Sequence, residues 1–81
     1  MINEARIKSI LESGLPEAVV QVGGDGTHFE AVIVSSAFEG KTLLQRHRLV
    51  NELLGEHLHT GELHAFSMQT LTPTQWQEQS A

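Results

Sequence analysis

Between Phe38 and Val50 the chain sets Arg46 and Arg48 on either side of His47, with Lys41 shortly before them. Guanidinium groups pair with carboxylates and phosphates through planar two-point contacts. A neutral imidazole ligates metals. The chain has five histidines, His28, His47, His57, His59 and His64, and no cysteine. Any metal chemistry therefore runs through imidazole, with thiolate supplied from elsewhere.

The elements that must position these groups follow from periodicity. Residues 3–13 read as a helix capped by Asn3, with Ile7, Ile10 and Leu11 on one face. Gly14 suits the left-handed residue after it, Leu15 folds back onto the last turn, and Pro16 prevents continuation. Residues 18–22 and 28–35 are short β-branched runs joined by Gly23-Gly24-Asp25-Gly26, a hairpin. In the second run Phe29, Ala31 and Ile33 face one side, and Glu30, Val32 and Val34 the other. Thr42-Leu43-Leu44-Gln45 fits a capping box. The helix it opens is expected to run to Thr60-Gly61, burying a stripe of Leu43, Val50, Leu54 and Leu58 with His47 among them. Arg46 and Arg48 flank that stripe and are expected to reach solvent. Residues 63–71 read as a third strand, with His64 on the face of Phe66 and Met68. Thr72-Pro73-Thr74-Gln75 starts a last helix, which the Trp76 ring is expected to anchor.

The order helix, hairpin, helix, strand, helix predicts one α/β domain over residues 1–81, a three-stranded mixed sheet with helices on one face. A chain of 81 residues buries only about 60% of its unfolded surface, which leaves little room for a deep active site. No apolar run approaches a membrane span. The N-terminus has no basic stretch leading into an apolar one, so no signal peptide is expected and the location reads as cytoplasmic. Net charge is −5, with five Lys and Arg against ten Asp and Glu. Tight nucleic-acid binding rests on phosphate neutralisation, so only a local patch at Lys41, Arg46 and Arg48 offers DNA a footing.

Other motifs carry less. Gly40-Lys41-Thr42 resembles the end of a phosphate-binding loop, but Ser35 stands where that loop needs glycine. His57 and His59 point different ways on a helix and read as solvated groups at its end. Taken alone, His47 reads as a core histidine with hydrogen-bonded ring nitrogens, and His64 as structural. With no cysteine, no serine elbow and no carboxylate pair, the chain reads as a non-enzyme.

Three stretches nonetheless occur in a familiar order: Phe38-Glu39-Gly40-Lys41 running to Arg46-His47-Arg48-Leu49-Val50-Asn51, then Leu63-His64-Ala65-Phe66, then Leu71-Thr72-Pro73-Thr74-Gln75-Trp76. Over residues 3 to 77 the chain resembles the BolA-like family. The hairpin Gly24-Asp25-Gly26-Thr27-His28-Phe29 is similar to its small bacterial acid-stress branch. The resemblance implies a KH-like domain of the second KH topology (α-β-β-α-β-α), without the Gly-x-x-Gly loop of RNA-binding members. It also implies a monothiol glutaredoxin partner and a bridging 2Fe–2S cluster shared with that partner and glutathione. Alone, the protein is expected to be a monomer or weak dimer holding no cofactor. The family's C-terminal histidine ligand corresponds to His64. The second ligand comes from the hairpin loop, where this chain has Asp25 and, three residues on, His28. Either His28 serves, or His64 ligates alone, or the cluster is held more weakly. On this reading Lys41, Arg46, His47 and Arg48 steer the partner. The roles implied are iron–sulfur trafficking or iron, redox and stress signalling, with a DNA-binding transcriptional regulator as the alternative.

Overall fold

The computed structural model describes residues 3–24, 28–55 and 65–80. Helix α1 spans Glu4–Gly14, and the Asn3 side chain accepts from the Arg6 N–H at 2.9 Å, satisfying one of the free donors at its start. Ile7 and Leu11 are buried, and the Leu15 N–H closes the helix on Leu11 O at 3.1 Å. Gly14 does not take the left-handed conformation expected of it. It is the last helical residue, and a Cβ there would lie 2.5 Å from Leu53 Cδ2. Its missing side chain thus admits the neighbouring helix. The left-handed residue of this turn is Glu17, with φ 50°.

Strands β1 (Val19–Gly24), β2 (His28–Val34) and β3 (Ala65–Leu71) form one sheet in that spatial order. β1 and β2 are antiparallel, whereas β2 and β3 are parallel, as a helical crossover requires. The register puts Val20, Ile33 and Thr70 on one face with Val22, Ala31 and Met68, and with Phe29 and Phe66. That face meets Ile7 and Leu11 of α1, Val50 of α2 (Leu43–Leu53) and Leu54 just after it in a single core. The mixed three-stranded sheet with helices on one face is therefore as expected. The opposite face carries exposed Gln21, Glu30, Ser67 and Gln69 around half-buried Val32.

Helix α2 departs from expectation twice. It is interrupted after Leu53, with Leu54 at φ −95°, ψ 4° as the cap; Gly55 is helical again, and the expected end at Thr60-Gly61 lies outside the described residues. Leu43 is 63% exposed and lies off the buried stripe, because the first turn of α2 is not covered by the core. Val50 and Leu54 are buried as expected; Leu58, His57 and His59 lie outside the described residues. Helix α3 (Pro73–Ser80) follows β3 directly. Its Trp76 is half-buried, outside the main core cluster.

The strand directions give the sheet two distinct ends. One gathers Gly24, His28 and Ala65; the other gathers Val19, Val34 and Leu71. At about 3.3 Å per residue they lie roughly 20 Å apart along β2. The chain leaves the second end through a 3₁₀ turn (Ser36–Phe38) into α2, and from Leu71 into α3.

Candidate functional site

Arg46 belongs to the second end, and it does not reach out to solvent as expected. It is half-buried. Its Nε donates to Lys41 O at 3.1 Å, and its Nη1 donates to Thr70 O at 3.1 Å and to Gln75 Oε1 at 3.0 Å. Its guanidinium carbon lies 5.9 Å from the Phe38 ring centroid, within cation–π range. One side chain thus ties the loop before α2, the end of β3 and the start of α3. Gln75 is shared, because its Oε1 also accepts from the Thr72 N–H at 2.9 Å while Thr72 Oγ1 accepts from the Gln75 N–H at 3.2 Å. Thr42 and Gln45 form the same reciprocal box at the start of α2. Three of the five N–H donors of Arg46 are engaged within the fold.

Arg48 and Lys41 are exposed, and among the described residues their side chains have no hydrogen-bond or ion-pair partner. They are the free cations of the motif. His47 is half-buried between the two arginines. Its Nε2 is buried without a hydrogen-bond partner, contrary to the expectation of a satisfied ring, and nothing in the structure explains this. Thr70 Oγ1 is the other buried polar atom of this kind among the described residues.

The first end holds His28, exposed at the start of β2 on the face away from the helices. The parallel register sets it beside Ala65, the residue that follows His64 in the chain. Asp25 and His64 lie outside the described residues. Gly24, the last described residue of β1, and Ala65, the first of β3, lie at the same end of the sheet as His28. Gly24 shapes this end. A Cβ on it would run into the carbonyl oxygen of His28 and lie 2.8 Å from Phe29 Cδ1, so only glycine lets the strands approach here. The structure does not bring His28 and Arg46 together. Arg46 contacts Thr70, which pairs with Ile33, five residues along β2 from His28 and about 17 Å away.

One organising residue escaped sequence reasoning. Ser35 is fully buried; its hydroxyl donates to Pro16 O at 2.7 Å and accepts from the Ala37 N–H at 3.1 Å. It fixes the exit from β2 against the turn after α1. A serine just ahead of a helical turn is the signal that could have found it.

The family model described as BolA-like protein matches residues 5–75. BolA-like protein 1 of Mus musculus is 44% identical over 85 residues, covering 93% of this chain and 61% of that protein. The match spans about three fifths of the length of the mouse relatives, 61% of BolA-like protein 1 and 59% of BolA-like protein 2. Among solved structures, a bolA protein homologue from Coxiella burnetii superposes with a TM-score of 0.83 at 45% identity, covering 95% of this chain and 99% of that one. The BolA domain of SufE1 from Arabidopsis thaliana superposes with a TM-score of 0.78 at 38% identity, covering 91% and 98%. On the extent of the family match and on the fold that these structures share with it, this chain belongs to the BolA-like family.

Proposed function

We propose that the chain is an adaptor that binds a monothiol glutaredoxin and shares a bridging 2Fe–2S cluster with it, in iron–sulfur trafficking or iron and redox signalling. The observation that carries this reading is the β2–β3 register, which sets His28 beside the residue following His64. His64 precedes Ala65 directly in the sequence, and its own position lies outside the described residues. The donor chemistry of the two histidines fits a shared group. The chain contains no thiol, so the sulfur ligands come from glutaredoxin and glutathione, and imidazole completes the set. Histidine ligation raises the reduction potential of such clusters. Imidazole binds only when neutral, so assembly weakens as pH falls.

The DNA-binding alternative loses ground at Arg46, whose donors are largely used inside the fold. Two free cations against a net charge of −5 are few for phosphate neutralisation.

Anaerobic reconstitution with glutaredoxin, glutathione, ferrous salt and sulfide tests the proposal by visible circular dichroism. Titrating in the wild-type chain is expected to replace the glutaredoxin homodimer spectrum with a new one. His64→Ala is expected to abolish that change, and His28→Ala to alter or weaken it. A homodimer spectrum that persists at any excess of the wild-type chain sinks the reading.

A further inference from the structure

We infer that the second end of the sheet is a docking surface for an acidic protein segment with an apolar centre. The exposed large hydrophobics among the described residues are Leu43 at 63%, Leu44 at 61% and Val19 at 44%. All three lie at this end, since Val19 pairs with Val34 and the leucines form the first turn of α2. Lys41 stands just before that turn, and Arg48 is four residues after Leu44, on the same strip of the helix. Both cations are exposed and unpaired among the described residues.

This arrangement is held rigid before anything binds. The Thr42–Gln45 box fixes the first turn of α2, and Arg46, between the two free cations in sequence, is drawn inward to Thr70 and Gln75. A preorganised patch loses little freedom on binding. Its chemistry selects the partner. Two leucines laid against phosphates would gain nothing, whereas against apolar side chains they are removed from water. Lys41 and Arg48 flank the leucines and attract an acidic segment there, with exposed Glu39 and Glu17 bounding the patch in a chain of net charge −5. Val34, where β2 reaches this end, lies about 20 Å along the strand from His28.

The probe is a fluorescently labelled amphipathic helical peptide with leucines at three- and four-residue spacing flanked by glutamates. Its control carries lysines in place of the glutamates. Each is titrated with the full chain, by anisotropy and by amide chemical shifts. The acidic peptide is expected to bind saturably and to move the amides of residues 41–48 but not that of His28. Leu43→Gln with Leu44→Gln should weaken it about tenfold or more, and Lys41→Glu with Arg48→Glu should weaken it and remove its salt dependence. Circular dichroism verifies that the variants are folded. His64→Ala should leave binding unchanged, so this proposal and the cluster reading fail separately. Absence of saturable binding, equal binding of the lysine peptide, or indifference to the leucine substitutions would overturn the inference. So would concentration-dependent dimerisation in the ultracentrifuge that the leucine substitutions abolish, which would make this end an interface between copies.

Discussion

The two ends of the sheet are held by different means. At the end where β2 and β3 finish, side chains do the joining: Arg46 reaches three acceptors, Ser35 bridges to Pro16, and two Thr–Gln boxes close the helix starts. At the end where they begin, Gly24 pairs closely with Phe29 and His28 pairs with Ala65, while Asp25 and His64 lie outside the described residues. A cross-linked end can present a fixed surface. The other end exposes His28 at the start of β2. The Arg-His-Arg motif, which reads in sequence as one steering patch, is divided by this difference: Arg46 is part of the framework and Arg48 is part of the surface.

The largest expected effect breaks that division or confirms it. Arg46→Ala removes three hydrogen bonds from a charged donor and the contact over Phe38. Water reaches this half-exposed site and replaces part of the loss, so a cost of about 2–3 kcal/mol is expected in urea denaturation. Lysine should rescue little, because one ammonium cannot reproduce the planar fork. Arg48→Ala should change stability by less than about 0.5 kcal/mol. Equal costs for the two arginines would erase the distinction between the framework and the surface.

Local chemistry was legible in the sequence, and long-range chemistry was not. The Asn3 cap, the two Thr–Gln boxes and the alternation through Phe29, Ala31 and Ile33 are governed by neighbours a few residues away, and each appears as read. The interruption of α2 at Leu54 was not legible because Leu54 and Leu58 prolong the apolar period in the sequence. Leu43 was misplaced because periodicity assigns a face but says nothing of how far the core extends beneath it. The role of Arg46 depends on Thr70 and Gln75, which are 24 and 29 residues away, and no spacing rule connects them. The pairing of His28 with Ala65 likewise appears only once β3 is set parallel to β2.

The histidine end is tested by its glycines. Gly24→Ala places a methyl group against the His28 carbonyl and the Phe29 ring, whereas Gly23→Ala meets nothing within 4 Å. Overpacking of this kind costs about 1–3 kcal/mol, and the strain falls on the hairpin that carries the second candidate ligand. Gly24→Ala should therefore lower the urea midpoint and impair cluster assembly together, while Gly23→Ala lowers neither. An intact cluster spectrum in a destabilised Gly24→Ala protein would detach the hairpin from the ligand site.

A smaller effect concerns the start of α2. Thr42→Ala removes the acceptor for the Gln45 N–H and should cost about 1 kcal/mol, as cap removal usually does. Because the box also fixes the turn carrying Leu43 and Leu44, hydrogen exchange at residues 43–46 should accelerate more than this global loss accounts for. Uniform acceleration across the chain would show that the box stabilises the fold without preorganising the leucines.

The smallest expected effect is the most informative about the surface. Leu43 and Leu44 lie on the same helix as Val50, which is fully buried. Removing methyl groups at Val50 would open a cavity, but the leucines already spend more than half their area in water, so the folded state owes them little. Glutamine is close to leucine in helix propensity, and replacing both leucines with it leaves the Thr42–Gln45 box untouched. The double variant should therefore unfold within about 0.5 kcal/mol of wild type. A loss of 2 kcal/mol or more, on the order of a buried aliphatic side chain, would place these leucines against residues of their own chain and close the docking surface. An unchanged midpoint leaves two apolar side chains that the fold does not require, beside two cations unpaired among the described residues.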